Sequence, residues 1–536
     1  MCGKRLVAPG NQGTSLEINR WEELLKPVMV RCLFCYTLIA GALALAAPCA
    51  RAQDAQSVIK TAEYALGMIR GPQRVDAINT LEYWGTGSTY AFGQSYRPDS
   101  AWPEFKVTYH ASLSYAVPAM RVDVTRSNPD GLIQGGGGLP LAAPQRQIQV
   151  VSGKFAWNES VPGAGFTPGS TATPTPGAVN DRLLQLWTLP FGVLKMAVKA
   201  GLAAKASTEG GATVITFPLS GALEGIAMKV TLNAKNQPER VETRTSDPVL
   251  GDLLTETTYS DYRDLGEIAT DVQFPSHIVQ KQGSFPVLDL TITKADPNNP
   301  YIVFPVPDNV EKAPLAPLKV ETQKVSDGVW YLTGGTHHSV AVEFKNYVAL
   351  VECPLNDERA MAVIESVKKI IHNKPIRYVV NSHHHFDHLG GLRACVAEGA
   401  TILTAAENKP YYQKVWAMPH TLKPDRLAQA PKKPVIEAVT EKRVLTDGTQ
   451  TLELYHLQGT NHADTMLIGY LPKAKVLIEA DVYNPAPPNA PAGPLVKENV
   501  NLYENIKRLN LDVQQITPLH GRLVTIEDLQ KVIARN

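Results

Sequence analysis

Two hydrophobic rhythms divide the chain. Between residues 53 and about 298, runs rich in β-branched and aromatic residues recur between turn signals, at 107–117, 146–157, 212–220, 228–245 and 287–295. This pattern predicts strands. The polar stretch Asn233-Ala234-Lys235-Asn236 inside the fourth run predicts a hairpin turn. A Gly/Pro/Thr-rich stretch from Val161 to Gly177 reads as a long loop, followed by a helix bearing Leu183, Leu184, Leu186 and Trp187 that Pro190 should end or kink. Beyond residue 319 the rhythm changes to alternating strand and helix patterns. There Asn356 is placed to cap a helix with Ala360, Ile364, Val367 and Ile371 on one face, and the strand IRYVVN follows. Prolines 300, 305, 307, 314 and 317 lie between the two regions, a composition suited to a stiff extended linker. The expectation is an α+β protein of two domains: a β-rich one over 53–298, a linker over 299–318, and a second domain over 319–536.

The first apolar stretch bears on compartment. From Cys32 to Ala50 the chain carries no charge, Arg31 precedes it, and Ala50-Arg51-Ala52 forms a small-x-small cleavage pattern before Gln53. These features predict a secretory signal within 1–52 and a periplasmic or secreted protein that begins near Gln53 and has no stable membrane span once the signal is gone. Residues 1–28 carry Glu17, Glu22 and Glu23, which do not suit a signal's basic opening, so translation is expected to start at Met29. Four of the six cysteines fall in the removed part, which leaves Cys353 and Cys395 and one conceivable bridge.

Composition narrows the function classes. The 536 residues contain 52 Lys+Arg against 51 Asp+Glu, a formal charge of +1, so no global field gathers nucleic acid. A small-molecule substrate is expected, with no nucleic-acid partner; the oligomeric state is not legible.

Eleven of the 13 histidines lie after residue 330. The segment Asn381-Ser382-His383-His384-His385-Phe386-Asp387-His388-Leu389-Gly390-Gly391 contains the spacing H-x-H-x-D-H at the end of an apolar strand. Residues two apart on an extended backbone project to the same side, so His383 and His385 can grip one metal. Asp387 and His388, where the chain turns, can reach a second. Imidazole and carboxylate donors in this mixture suit zinc, with iron or manganese as alternatives. His384 should point away and be structural, as should the isolated His110 and His277.

These residues resemble the metallo-β-lactamase superfamily over nearly all of 325–536, and the resemblance implies an αβ/βα sandwich for this domain. It implies that His383, His385 and His462 hold a first metal, that Asp387, His388 and His520 hold a second, and that Asp481 bridges the two. Glu352 stands where many members have Asp, a position that usually supports the site from behind the ligands. His337 and His338 fall on an early loop that could line the cleft and contact substrate. The implied activity is an exported dizinc hydrolase that cleaves a carboxylic ester, lactone or thioester by attack of a metal-bridging hydroxide, with Asp387 orienting it. Alternatives are a dizinc β-lactamase or a phosphodiesterase. The segment 258–280 with 288–298 is similar to the closing strands of periplasmic half-barrels that carry lipoproteins or lipids. That similarity implies a half-barrel-like N-terminal domain that presents an apolar acyl substrate to the metal cleft.

Overall fold

The computed structural model describes residues 54–70, 75–267, 271–314, 317–488 and 495–534. The expected signal, its cleavage site and the Met29 start lie outside the described residues. Residues Gln53–Asn536 form one compact unit.

The β-rich part is a thirteen-stranded antiparallel sheet. Its strands follow one another as a meander, and the first long one, Thr80–Tyr90, pairs with the last, Phe285–Pro297. The hairpin at 233–236 joins Ala227–Leu232 to Pro238–Asp247 as the sequence predicts, with Asn233 Oδ1 accepting from the amides of Lys235 and Gln237. Alternation places Phe105, Val107, Tyr109, Ala111 and Leu113 of the strand Glu104–Ser114 on one face. The helices Ala55–Ala65, Val179–Thr188 and Pro190–Ala200 cover that face. The second and third are joined only by Leu189, yet one touches strands near one end of the sheet and the other a strand near the opposite end. In a flat sheet those strands would lie about 40 Å apart, so the sheet curls around the helices and is half-barrel-like. Pro190 does more than end a helix. Leu189 is extended and Pro190 opens the next helix, which gives a 96° bend between the pair. Among the described residues no single helix is long and apolar enough to cross a membrane, and the apolar side chains of the bent pair, Leu186, Phe191 and Leu194 among them, fill the β-rich core.

The proline-rich segment does not run free. It folds back on the outer face of the sheet, where Phe304 and Val310 pack against Ile148, Val150 and Trp157. A short helix, Asp308–Glu311, interrupts its extended course.

The C-terminal part has two facing sheets, one of seven strands and one of six. In the first, strands Glu321–Ser326 to Val348–Val351 are antiparallel, and parallel pairing begins with Ile376–Val380. Its strands Ser339–Glu343 and Val348–Val351 are buried on both sides. Val340, Val342, Ala349 and Val351 meet the second sheet, while Ala341, Val348 and Leu350 meet the helices Asp357–Ile370 and Leu392–Glu398. Such two-sided burial requires near-continuous apolar strands. Asn356 caps the helix as predicted, its Oδ1 accepting from the Arg359 amide, and Ala360, Ile364 and Val367 are buried. Helices Lys497–Arg508 and Ile526–Ile533 pack on the second sheet through Leu502, Ile506 and Leu529. This is the expected layered α/β sandwich. Cys353 and Cys395 are joined in a disulfide between the end of a central strand and the helix Leu392–Glu398.

One buried carboxyl in the β-rich core generates a stability prediction. Glu63 is 8% exposed, and burial, reinforced by Asp76, raises its pKa from 4.5 to about 7. The unfolded chain therefore releases this proton at lower pH than the folded one. The folded state is fully favoured below about pH 4.5 and loses stability as pH rises through about 7. Glu63→Gln is expected to leave the Tm unchanged near pH 4 and raise stability near pH 8 by up to about 3 kcal/mol, the value of the whole shift. Thermal unfolding at the two pH values checks this. An equal effect at both would show that the carboxyl does not titrate in the folded state.

Candidate metal centre

The strand Ile376–Val380 delivers the chain to the edge of both sheets, and the histidine motif begins there. His383 and His385 are fully buried, and their ring nitrogens, Nε2 of one and Nδ1 of the other, stand 2.9 Å apart. The motif then turns into the one-turn helix Phe386–Leu389, which aims Asp387 and His388 at the other side of the same point. His462 comes from the loop before the strand Leu467–Leu471, Asp481 from the residues after Val476–Glu479, and His520 from those after Gln515–Pro518. The Asp481 carboxylate is the hub. Oδ2 lies 3.2 Å from His383 Nε2, 3.1 Å from His462 Nε2 and 2.9 Å from His388 Nε2, and Oδ1 lies 2.8 Å from His520 Nε2. Asp481 has φ +61°, a left-handed conformation that side chains avoid unless the surroundings impose it.

Two groups of ligand-type atoms result, each drawn together within 4.8 Å: His383, His385, His462 and Asp481 in one, His337, Asp387, His388 and His520 in the other. All seven residues singled out as ligands in the sequence are brought together. His337 joins them, its Nε2 3.0 Å from Asp387 Oδ2, beside the His520 and His388 rings. A substrate contact was expected of it, and the structure places its ring among the ligand-type atoms. The same expectation for His338 is corrected. This ring is buried with Nδ1 against the Tyr331 hydroxyl and Nε2 3.2 Å from the Gly335 carbonyl, so it braces the loop and does not line the cleft.

Groups behind the cluster fix its orientation. Glu352 accepts from the Ser382 amide with Oε1 and places Oε2 3.3 Å from His388 Nδ1, so the longer side chain still supports His388 from behind. Arg359, 1% exposed, donates to the carbonyls of Lys319, Thr333 and His337 and pins the loop that carries His337. Neither His384 nor Phe386 faces the cluster. His384 puts Nδ1 2.8 Å from Thr465 Oγ1 and Nε2 2.9 Å from the Ser95 carbonyl. Phe386 packs edge-on against Phe92, with Trp102 beside it. His110 and His277, predicted structural, pair with Glu82 and Asp289.

The β-rich part reaches the centre itself, which sequence reasoning did not detect. Gln94 Nε2 donates to Asp387 Oδ1 at 2.8 Å, and its Oε1 accepts from the Gly137 amide. The Ser95 carbonyl is 2.9 Å from His385 Nε2, so that nitrogen carries the hydrogen and Nδ1 keeps a free lone pair facing the cluster. Gly136 lies so close that a Cβ there would stand 2.7 Å from His385 Cε1 and 2.1 Å from Gln94 Oε1. A run of four glycines, 135–138, was the available signal.

Electrostatics follow from this crowding. Burial drives His383 and His385 well below the imidazole range. Burial opposes charge on His388 too, but Asp481 and Asp387 outweigh it and hold its pKa well above normal. Burial likewise disfavours charge on Asp481 and Asp387, yet the surrounding imidazoles, His388 first, keep both ionised.

The donor set fits divalent metal. Facing imidazole nitrogens, as in His383 with His385 and in His388 with His520 at 3.2 Å, leave lone pairs opposed unless a proton or a cation lies between them. His462 Nε2 is buried, and the oxygen it faces, Asp481 Oδ2, is shared with His383 and His388. A shared cation satisfies all of these at once.

Residues 332–488 match the model of the metallo-beta-lactamase superfamily. This part of the chain is of that type, and the superfamily's members are generally metal-dependent hydrolases. Solved structures similar to the chain include a metallo-beta-lactamase from Pontibacter korlensis (20% identity, covering 40% of this chain and 98% of that one, TM-score 0.31) and one from Hirschia baltica (19% identity, 40% and 96%, TM-score 0.31). No curated protein matches the chain.

A cavity of about 1210 Å³ opens onto the centre. Asp387, His462, Asp481 and His520 form its floor, while Tyr90, Phe92, Phe105, Leu139 and Leu141 of the β-rich part form much of its apolar wall.

The contacts from Gln94 and Ser95 predict a measurable dependence of metal binding on the β-rich part. Partners that orient ligands typically contribute about 10–100-fold in affinity. Gln94→Ala, which strips a donor from Asp387, is expected to weaken metal binding within that range, and Gly136→Val, which pushes a side chain into His385 and Gln94, at least as much. Competition with a coloured chelator reads both. Wild-type affinity in both variants would mean that the centre is complete without the β-rich part.

Proposed function

We propose that this protein is an exported dinuclear metallohydrolase that cleaves a carboxylic ester, lactone or thioester in a molecule with an apolar portion. The observation that carries the reading is the Asp481 carboxylate, which faces four imidazole nitrogens drawn from both ligand groups, an arrangement suited to two ions sharing one carboxylate. His383, His385 and His462 would hold one ion, His388, Asp387 and His520 the other, with His337 adjoining the second. Zinc suits the donors best, with iron or manganese as alternatives.

When bound, the ions supply Lewis acidity and bring the pKa of a coordinated water from 15.7 to about 7. The chain's own residues do the rest. Asp387, kept ionised and held on both oxygens by Gln94 and His337, is aimed at the space between the groups, where it can orient the nucleophile and take up its proton. A bound substrate would displace water from the cavity and so strengthen the charge interactions inside. The apolar wall accepts the non-reacting part of the substrate, so that binding energy distant from the bond contributes to its cleavage. The signal-like segment within 1–52 supports export, and near-zero net charge agrees with a small-molecule substrate.

Metal analysis of purified mature protein should find about two equivalents per chain. A panel of chromogenic esters, lactones, thioesters, phosphodiesters and a cephalosporin should show turnover confined to the acyl compounds and lost on chelation. Asp387→Ala should lower kcat by at least about a hundredfold. Turnover of only the phosphodiester or the cephalosporin would overturn the proposed substrate class. A protein that binds no metal would overturn the reading altogether.

A further inference from the structure

Arg126 stands at the inner end of the cavity in an unusual state. It lies on the strand Ala119–Ser127 in line with Val122 and Val124, so it projects into the curl of the sheet. Its guanidinium sits over the Phe105 ring at 5.0 Å. No hydrogen bond or ion pair among the described residues engages it, and its Nε is buried without a partner. Neighbouring acids are already committed: Asp123 to Arg146, Asp130 to Lys106, and Glu498 to Thr460 and Asn461. The residue is half-buried, and a guanidinium partly removed from water with no hydrogen-bond or ion-pair partner costs stability; proteins normally pair such groups.

Arg126 also joins two spaces. It lines the cavity over the metal centre, and with Tyr90 and Phe92 it lines a second cavity of about 220 Å³ inside the β-rich part. That inner cavity is edged by the carboxamides of Gln147, Gln149, Gln185, Gln280 and Gln282. Several are held in place, Gln185 on the Tyr109 hydroxyl and Gln280 on the Thr257 hydroxyl. Carboxamides of this kind donate hydrogen bonds without adding charge. The cavity over the metal centre, apolar along Tyr90, Phe92, Phe105, Leu139 and Leu141, therefore adjoins one unpaired cation edged by neutral carboxamides.

We propose that Arg126 and the inner cavity form a distal subsite for an oxyanion head group, a carboxylate or phosphate, at the end of the substrate remote from the bond cleaved. The proposal rests on the hydrolase reading for what happens at the near end, but anion binding by Arg126 does not require turnover. A guanidinium takes a carboxylate or phosphate through two parallel N–H donors, and burial strengthens the pair. The substrate would then be an amphiphile with an apolar middle, an acyl bond at the metal centre and an anion on Arg126. The exposed Lys497 on the outer wall is the competing cation, and it lies in water where an ion pair gains little.

The test is calorimetric titration of the full mature protein with straight-chain alkyl carboxylates from butanoate to decanoate, the matching alkyl phosphonates, and the matching primary amides as neutral controls. At least one anion should bind about tenfold or more tighter than its amide, as charge-assisted hydrogen bonds imply. Carboxylate or phosphonate preference identifies the head group. Arg126→Gln should erase the preference, Arg126→Lys should keep part of it, and Lys497→Gln should leave it intact. Because the native guanidinium has no hydrogen-bond or ion-pair partner and Arg126→Gln loses only its contact with the Phe105 ring, the variant should unfold close to the wild-type temperature, and that measurement separates lost binding from misfolding. Undiminished preference in Arg126→Gln would mean that the metals or Lys497 hold the anion, and no preference in the wild type would mean that there is no such subsite; either result overturns the proposal. If the preference follows Arg126 while no acyl compound is hydrolysed, the subsite stands and the hydrolase reading alone fails.

Discussion

Everything near the centre depends on five consecutive residues, 383–387, whose side chains face opposite ways; the backbone is extended as far as His385 and then turns into the helix that starts at Phe386. His383, His385 and Asp387 point into the cluster, and His384 and Phe386 point into the β-rich part. The period of two of an extended backbone sets His383, His384 and His385, and the helix turn then sets Phe386 outward and Asp387 inward. The same few residues therefore present ligands on one side and anchor the two regions of the chain on the other. Phe386 is gripped by Phe92 and Trp102, and Gly93, with φ +71°, leaves room that a side chain would close, since a Cβ there would stand 2.3 Å from the Phe386 ring.

Packing buried imidazoles and carboxylates together is costly unless each has a partner. The chain meets this with fixed groups behind the ligands: the Ser95 carbonyl accepting from His385, the Thr336 carbonyl at 2.9 Å from His520, and the Glu352 carboxylate 3.3 Å from His388 Nδ1. Each carbonyl selects which ring nitrogen keeps its lone pair, and so decides what the cluster can bind before anything binds. Both are backbone carbonyls, which no side-chain substitution removes. The surrounding exposed ion pairs, Lys414 with Asp99 and Arg97 with Asp464, join the two regions but lie in water and contribute little.

The ligand set was legible because it is written in short local spacings at strand ends. H-x-H-x-D-H, the His in GTNHAD, the Asp after VLIEA and the His in TPLHG each follow an apolar run, and the structure brings all of them to one edge of the sandwich. The helix capped by Asn356 and the hairpin at 233–236 were legible for the same reason, since each is fixed by contacts within a few residues. What escaped was non-local. Gln94 and Ser95 sit in an unremarkable loop nearly three hundred positions from Asp387 and His385, and nothing in their spacing indicates a partner. His337 and His338 are adjacent and alike in sequence, yet the turn after Gly335 sends one into the cluster and the other toward Tyr331. The proline-rich segment suggested a stiff extended linker because proline content reports stiffness and says nothing of adhesion; Phe304 and Val310 supply the apolar surface that holds it down.

The curled sheet has a consequence for how selectivity and chemistry are divided. The C-terminal part contributes the reactive floor of the cavity, and the β-rich part contributes much of the apolar wall and the unpaired Arg126 at the inner end. A floor built from ligands on short strand-end loops tolerates little change, because each ligand must meet the same point in space. A wall built on one face of a long meander can vary residue by residue without disturbing that point, since alternation separates cavity-facing positions from those on the outer face. Chemistry fixed by a rigid cluster and recognition carried by an adjustable sheet is the division expected when a general reaction is directed to a particular substrate. The Gln94 and Ser95 contacts set the limit of that freedom, because they tie the sheet's edge to the cluster and oblige the wall to keep one fixed position over the floor.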